Sequence, residues 1–107
     1  MKSNLLILLL TLLLAACATQ TPMERSQQAF SQGKTNFLQG NYRQAFQELL
    51  PLAEDGNADA QYAIAYMYYY GQGVPQDVDV AKSWMKKAAS QGQFLAKQAL
   101  ISLQVNP

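Results

Sequence analysis

The feature that most constrains the fold is a sequence repeat with a period of 36 residues between Ala45 and Ala96. The matched positions are Ala45 and Ala81, Leu49 and Met85, Ala53 and Ala89, Gly56 and Gly92, and Ala60 and Ala96. Self-similarity at a period of about 20 to 50 residues is typical of solenoids, in which each helical hairpin buries its apolar face against the next. A chance match among alanines is the alternative, but the paired glycines that close both segments favour a repeat. The sequence therefore predicts an all-α fold, a short α-solenoid of antiparallel helical hairpins with about five helices.

Capping residues and glycines predict where these helices begin and end. Asn57 and Asp77 are good N-caps, and Gly56 and Gly92 are glycines that stop a helix. Pro51 falls late in the second helix and should kink it or tighten its last turn. The predicted helices run from about Met23 to Leu38, Tyr42 to Asp55, Ala58 to Tyr70, Asp77 to Ser90 and Phe94 to Leu103.

The glycine pair Gly71 and Gly73 raises the alternative of a phosphate-binding loop. Such a loop normally follows a strand and offers free N–H groups at the mouth of a helix. Here a predicted helix precedes the glycines, Pro75 lacks an N–H group, and Asp77 places negative charge where a phosphate would lie. The sequence therefore predicts a structural turn.

Residues 1–16 have the features of a secretory signal peptide. Lys2 is followed by an apolar run from Leu5, and Ala15 and Ala16 supply small residues at a processing site. A transmembrane helix is the alternative, but Leu5 to Ala18 is 14 residues long, and a bilayer span needs roughly 20. We therefore expect this segment to be removed.

The sequence LAAC, Leu14 to Cys17, resembles the lipobox of bacterial lipoproteins. The resemblance implies cleavage before Cys17, a diacylglycerol on its sulfur and a third acyl chain on the new N-terminus, which together anchor a protein stably. Ala18 stands where an aspartate usually signals retention in the inner membrane, so the resemblance implies the periplasmic side of the outer membrane. Residues 17–25 would then be the lipidated cysteine and a tether, and residues 26–107 the helical domain.

Charge and composition exclude several classes of function. Without Lys2 the chain has seven cations and seven anions, which predicts no basic patch for nucleic acid. The chain has no histidine, and Cys17 is its single cysteine, which removes most metal sites and the common catalytic pairs. Asp77 and Asp79 are explained by helix capping and the helix dipole rather than by acid catalysis. We therefore expect no enzyme activity, cofactor, metal or nucleic-acid partner.

The segment NADAQYAIAYMYYYGQGVPQDVDVAKSWMKKAASQG, Asn57 to Gly92, closely resembles one Sel1-like repeat. The preceding segment, Gly40 to Gly56, resembles the second half of a tetratricopeptide-like repeat. The resemblance implies a right-handed solenoid and a protein–protein interaction module. The positions that match the repeat are Ala60, Gln61, Tyr62, Tyr66, Met67, Tyr68, Gly71, Gly73, Val74, Asp77, Ala81, Trp84, Lys87, Ala88, Ala89 and Gly92.

Helical periodicity divides the third predicted helix into an apolar face and a tyrosine-rich face. We expect the apolar face to pack on the fourth helix, which has a buried stripe of its own. The apolar face holds Ala60, Ile64, Met67 and Tyr68, and the stripe on the fourth helix holds Ala81, Trp84, Met85, Ala88 and Ala89.

The opposite face of the third helix holds Tyr62, Tyr66, Tyr69 and Tyr70. Tyrosines are frequent at interfaces because they bury area and still form hydrogen bonds. The alternative is packing on the first helix, which we favour for Tyr62 and Tyr66, whereas Tyr69 and Tyr70 are better candidates for exposure. In tetratricopeptide-type solenoids the first helix of each hairpin lines a concave groove, which would bring Lys34 and Phe37 to these tyrosines.

The last predicted helix is more apolar than packing on the fourth helix requires. Ala96, Ala99, Leu100 and Leu103 share its packing face, and Leu95 and Ile101 add further apolar area. The partner helix of a longer repeat array would lie beyond Pro107. We therefore expect an association surface on this helix, for a second copy of the chain or for another periplasmic protein.

These observations together predict an outer-membrane-anchored periplasmic lipoprotein that acts as a protein–protein interaction module, with other envelope proteins as partners. The second interpretation is a module that binds the cell wall or a peptide ligand in a tyrosine-lined groove.

Overall fold

A computed structural model of the chain describes residues 2–17 and 20–105, without the side chains of residues 15–17 and 105. The described residues form helices and no strand, which confirms the predicted all-α solenoid. The helices are α1 (Lys2–Cys17), α2 (Pro22–Leu38), α3 (Tyr42–Glu54), α4 (Ala58–Tyr70), α5 (Val78–Ser90) and α6 (Phe94–Val105). The five predicted helices correspond to α2 to α6, and α1 covers the predicted signal segment.

Helix α1 is 16 residues long, with exposed leucines around its circumference. Within the described residues, none of the helices has both the length and the apolar character that crossing a bilayer requires.

Helix α2 begins at Pro22, one residue before the predicted start at Met23, and therefore inside residues 17–25, which were predicted to form a tether. The N-cap is Thr21, whose Oγ1 accepts a hydrogen bond from the Glu24 N–H at 3.3 Å. The Glu24 carboxylate in turn accepts a hydrogen bond from the Thr21 N–H at 2.8 Å. This capping box satisfies two N–H groups at the helix end, and residues 22–25 are therefore helical. Four residues, 18–21, separate Cys17 from α2.

The predicted caps of α4 and α5 are confirmed. The Asn57 side chain accepts a hydrogen bond from the Ala60 N–H at 2.9 Å, and the Asp77 side chain accepts one from the Val80 N–H at 3.0 Å. Gly71 ends α4 in the left-handed conformation, with φ of 67°, which glycine adopts at little cost. Pro51 lies inside α3, whose last residue is Glu54.

Each of the helices α2 to α6 packs against the next one along the chain. Gly33 marks the closest approach of α2 to α3, because a Cβ atom at this position would lie 2.7 Å from Cγ of Leu49. Beside it, the Asn36 side chain is buried and donates a hydrogen bond to the Glu48 carboxylate at 2.7 Å. The absence of a side chain at Gly33 therefore allows the first hairpin to close.

The apolar face of α4 packs mainly on α3, with Trp84 of α5 at its edge, which corrects in part the prediction that this face packs on α5. The core consists of three residues from each of these two helices, namely Ala45, Leu49 and Ala53 with Ala60, Ile64 and Met67. The fourth residue of this face, Tyr68, forms a T-shaped contact with Phe46 of α3, and the centroids of the two rings are 5.5 Å apart. A solenoid helix is covered on two sides, and a pattern of apolar positions does not tell which neighbour covers which side.

The buried stripe of α5 is narrower than predicted. Ala81, Met85 and Ala88 are buried, whereas Trp84 and Ala89 are half-buried. Trp84 packs at the edge of the core between α3 and α4 and carries the Lys87 ammonium 4.4 Å above its ring. The indole is therefore a cover over the core rather than part of it.

The segment between α4 and α5 is a structural turn, as predicted. Gly73 has φ of 76° and lies against the backbone of Tyr42 at the start of α3. The Asp77 N–H donates to the Tyr68 carbonyl at 2.9 Å, and the Gln76 side chain donates to the Tyr69 carbonyl at 2.8 Å. These contacts fix the C-terminal end of α4, which carries the tyrosines.

Candidate functional site

The candidate site is a groove of about 400 Å³ that is lined by the first helix of each hairpin, α2 and α4, and by the start of α6. Most of its lining is apolar or aromatic. Side chains that line it include Phe30, Lys34, Phe37, Tyr62, Tyr66 and Leu95. The structure thus brings Lys34 and Phe37 to the tyrosines of α4, as the sequence predicted. Their role in binding a partner stays a prediction.

The aromatic side chains form a continuous row along α4. Tyr66 forms a T-shaped contact with Phe37 of α2, with the ring centroids 5.8 Å apart. This contact confirms the predicted packing of Tyr66 on the first helix of the solenoid. The ring centroids of Tyr66 and Tyr70 are 4.6 Å apart, and those of Tyr70 and Tyr69 are 4.9 Å apart. Tyr62 is next to Tyr66 at 6.5 Å. We call Tyr62, Tyr66, Tyr69 and Tyr70 the tyrosine row.

Exposure differs along the tyrosine row. Tyr70 is 57% exposed, which confirms its predicted exposure, whereas Tyr69 is half-buried against it. Tyr62 and Tyr66 are also half-buried. Half-buried rings are held in place by their neighbours, so the row presents a surface that is organised before any partner arrives.

The groove continues as a second, smaller cavity of about 190 Å³ between α4, α5 and α6. Tyr62 and Tyr66 line both cavities, and the second one also contacts Tyr70, Met85 and Leu103. The tyrosine row therefore runs from the α2 side of the groove to the second half of α6.

The tyrosine hydroxyls can donate and accept hydrogen bonds. Within the described part of the chain, none of the hydrogen bonds involves a tyrosine hydroxyl. Burial raises the pKa of Tyr62, and the negative charge that Tyr66 and Tyr70 would carry when ionised raises it further. Tyr62 therefore remains a protonated hydrogen-bond donor at neutral pH.

Two polar side chains that line the groove bond each other. The Gln93 side chain donates to the Asp59 carboxylate at 3.3 Å, and its oxygen accepts from the Ala96 N–H at 2.7 Å. The latter bond caps the start of α6. Lys34 also lines the groove, and its side chain is exposed.

Leu95 and Ile101 do not share one surface, which corrects the prediction of a single association surface on the last helix. Leu95 is 51% exposed and lines the groove, whereas Ile101 is 55% exposed and does not contact either cavity. Six positions along a helix correspond to a separation of about 120° around its axis. Phe94, which is 67% exposed, lies on the same side of α6 as Ile101.

Phe30 and Asp59 line the groove and were missed as site residues. A signal for Phe30 was present, since Phe30, Lys34 and Phe37 are spaced by four and three residues and so share a face of α2. Asp59 had no such signal, because an acid in the first turn of a helix is explained by the helix dipole. The side chain of Cys17, the predicted lipidation site, lies outside the described residues.

The fold and the groove define a class of protein: an α-solenoid of helical hairpins with an aromatic concave surface. Among the described residues, no group of histidine, cysteine and acidic side chains could hold a metal ion. Residues 58–93 match the model of the Sel1 repeat family, and this segment comprises α4, the turn after it and α5. This segment is thus similar to a Sel1 repeat, a unit that is found in protein–protein interaction modules. No solved structure matched the chain significantly.

Proposed function

We propose that the protein is a lipoprotein that is anchored through Cys17 on the periplasmic side of the outer membrane and binds other envelope proteins. The LAAC sequence and the small residues before the cysteine support the anchor. The Sel1 repeat and the groove support the binding role. In this proposal the groove holds a segment of the partner, and the protein acts as an adaptor.

The observation that carries the binding role is the continuous tyrosine row in the groove. The rings provide apolar area, and their hydroxyls form no hydrogen bond within the described residues. Tyrosine is enriched in interfaces for this combination of properties. The volume of the groove, about 400 Å³, is sufficient for several side chains of a bound segment.

A second candidate is a module that binds the cell wall, and the exposure of Tyr70 favours it. An exposed aromatic ring offers a flat apolar surface on which a sugar ring can stack. Sedimentation of the protein with purified cell wall tests this function. Co-sedimentation that Tyr70→Ala abolishes supports the cell-wall module, and protein that stays in the supernatant supports the adaptor.

The anchor is tested with Cys17→Ser. Without the thiol, no acyl chain can be attached, and we expect an unprocessed precursor that lacks lipid. The measurement is membrane fractionation combined with the mass of the intact protein. Detection of the substituted protein as mature, acylated material would show that the lipobox interpretation is wrong.

The binding role is tested by photo-crosslinking in living cells. A photoreactive amino acid replaces Tyr70, which lines the second cavity that continues the groove, and a control replaces Lys86, an exposed residue of α5 that lines neither cavity. We expect a defined protein adduct from position 70 and none from position 86. Equal adducts at both positions, or none at position 70, would contradict a partner in the groove.

The outer side of α6 is a second proposed contact, through which two copies of the chain associate. Phe94 and Ile101 are both exposed there and lie seven positions apart on one side of the helix. We expect Ile101→Glu to lower the mass of the detergent-solubilised protein to that of a monomer, measured by sedimentation. The matched control is Leu95→Glu, which alters the groove instead and should leave the association intact.

A further inference from the structure

We propose that the groove selects an extended, proline-rich segment of its partner rather than a helix. This inference rests on the proposed binding role and specifies the conformation of the bound segment. It combines the hydrogen-bonding groups that face the groove with the aromatic character of its surface.

The groove offers hydrogen-bond donors to its occupant. The tyrosine hydroxyls make no hydrogen bond within the described residues, and the Lys34 ammonium group is a pure donor. The Asp59 carboxylate, at the start of the helix that carries the tyrosine row, accepts a hydrogen bond from the Gln93 side chain at 3.3 Å. An occupant rich in free acceptors therefore complements this surface.

Backbone carbonyl groups are free acceptors only where the chain is not helical. In an α-helix each carbonyl except those of the last turn already accepts a hydrogen bond from within the helix. In a polyproline II segment the carbonyls remain free, and proline itself carries no N–H donor that would need a partner. The donors of the groove thus favour the extended segment over the helix.

The arrangement of the rings favours the same occupant. Tyr66 and Tyr70 lie 4.6 Å apart at an angle of 50°, and Tyr62 and Tyr66 lie 6.5 Å apart at an angle of 55°. Tilted neighbouring rings form an apolar surface with ridges, against which flat proline rings can pack. Proline-rich segments bind aromatic-lined grooves in this way, and their stiffness reduces the entropy that is lost on binding.

The test compares two synthetic peptides of about fifteen residues, a polyproline peptide and an alanine- and lysine-based helical peptide. Each is titrated into the full chain in detergent, and binding is measured by fluorescence anisotropy. We expect the polyproline peptide to bind more tightly than the helical one. Tyr66→Phe and Tyr70→Phe keep the rings and remove one donor each, so each should weaken binding roughly twofold to tenfold.

The matched control is Tyr68→Phe, because Tyr68 lies on the other side of α4 against Phe46. This variant should bind the polyproline peptide as the original chain does. Equal or tighter binding of the helical peptide would overturn the inference, and so would unchanged binding by Tyr66→Phe and Tyr70→Phe. Competition by purified, peptide-free glycan strands would also overturn it, in favour of a carbohydrate site.

Failure of this inference can be distinguished from failure of the proposed function. A protein adduct at position 70 in cells, together with no binding of the polyproline peptide, would refute the extended segment and leave the binding role intact. If the polyproline peptide binds, and if Tyr66→Phe and Tyr70→Phe each weaken its binding, the inference is supported even when no adduct forms at position 70.

Discussion

Replacing Gly73 with alanine tests whether the turn between α4 and α5 lies against the first residues of α3. Gly73 has φ of 76°, and a Cβ atom added to it would lie 2.5 Å from the Tyr42 carbonyl oxygen and 2.9 Å from the Arg43 nitrogen. Both of these atoms belong to the backbone. The new methyl group therefore cannot be accommodated by rotation of a side chain, and one of the two segments must move.

The free energy cost has two parts. A positive φ costs an alanine about 1–2 kcal/mol relative to glycine, and overpacking against the backbone adds on the order of 1–3 kcal/mol. Gly73→Ala should therefore lower the free energy of unfolding by about 2–5 kcal/mol, out of the roughly 5–15 kcal/mol of a typical domain. Gly92→Ala is the matched control. Gly92 has φ of 89° and nothing within 4 Å of the added methyl group, so this variant should lose about 1–2 kcal/mol.

Urea unfolding of both variants, followed by circular dichroism, measures the difference. We expect Gly73→Ala to have the lower midpoint, because only this variant suffers the clash. An equal loss in the two variants would mean that the turn does not touch Tyr42. The turn would then not fix the end of α4, and the argument for a tyrosine row that is organised in advance would lose one of its supports.

Three further predictions concern packing and pH. Gly33→Ala should destabilise by up to about 2 kcal/mol, because overpacking against Leu49 outweighs the helix propensity that alanine gains; higher stability would show that α2 and α3 are further apart. Trp84→Ala should cost about 2–3 kcal/mol, less than the roughly 3–5 kcal/mol of a fully buried site; an unchanged melting temperature would show that the indole covers nothing. The pKa of Tyr62 is raised above its ordinary value of 10.0, so its contribution to stability is present below pH 10.0 and is lost as the pH rises through the folded-state pKa. Tyr62→Phe should therefore reduce the loss of stability above pH 10.0, and an identical alkaline transition in both proteins would contradict the shift.

The ends of the helices were predictable because they depend on local chemistry. Asn57 and Asp77 cap their helices with bonds to N–H groups three residues away, and Gly71 provides a left-handed φ that few other residues adopt. The start of α2 depended on an equally local signal. Thr21 and Glu24 have the spacing of a capping box, and the helix starts one residue before the predicted Met23, although residues up to 25 were also assigned to a tether.

The partners of the helix faces were less predictable because they depend on the path of the chain. The periodicity of α4 showed which residues are apolar, and it left open whether Ala60 and Ile64 meet α3 or α5. The same limit applies to Leu95 and Ile101. Both are apolar residues of one helix, and the position of α2 and α4 decides that Leu95 lines the groove while Ile101 lies outside it.

The register of the repeat contains more information about the groove than the composition of any one helix. A step of 36 residues back from Tyr66 and Tyr70 leads to Phe30 and Lys34 of α2, and a step forward from Tyr66 leads to Ser102 of α6. All of these side chains line the two cavities. Equivalent positions of successive first helices therefore face the same groove, and the repeat alone would have predicted Phe30. The repeat does not determine the residue types at these positions, which are tyrosines in the middle helix, a phenylalanine and a lysine in α2, and a serine in α6. The geometry of the groove thus follows from the fold, whereas its choice of partner depends on the few side chains that differ between the repeats.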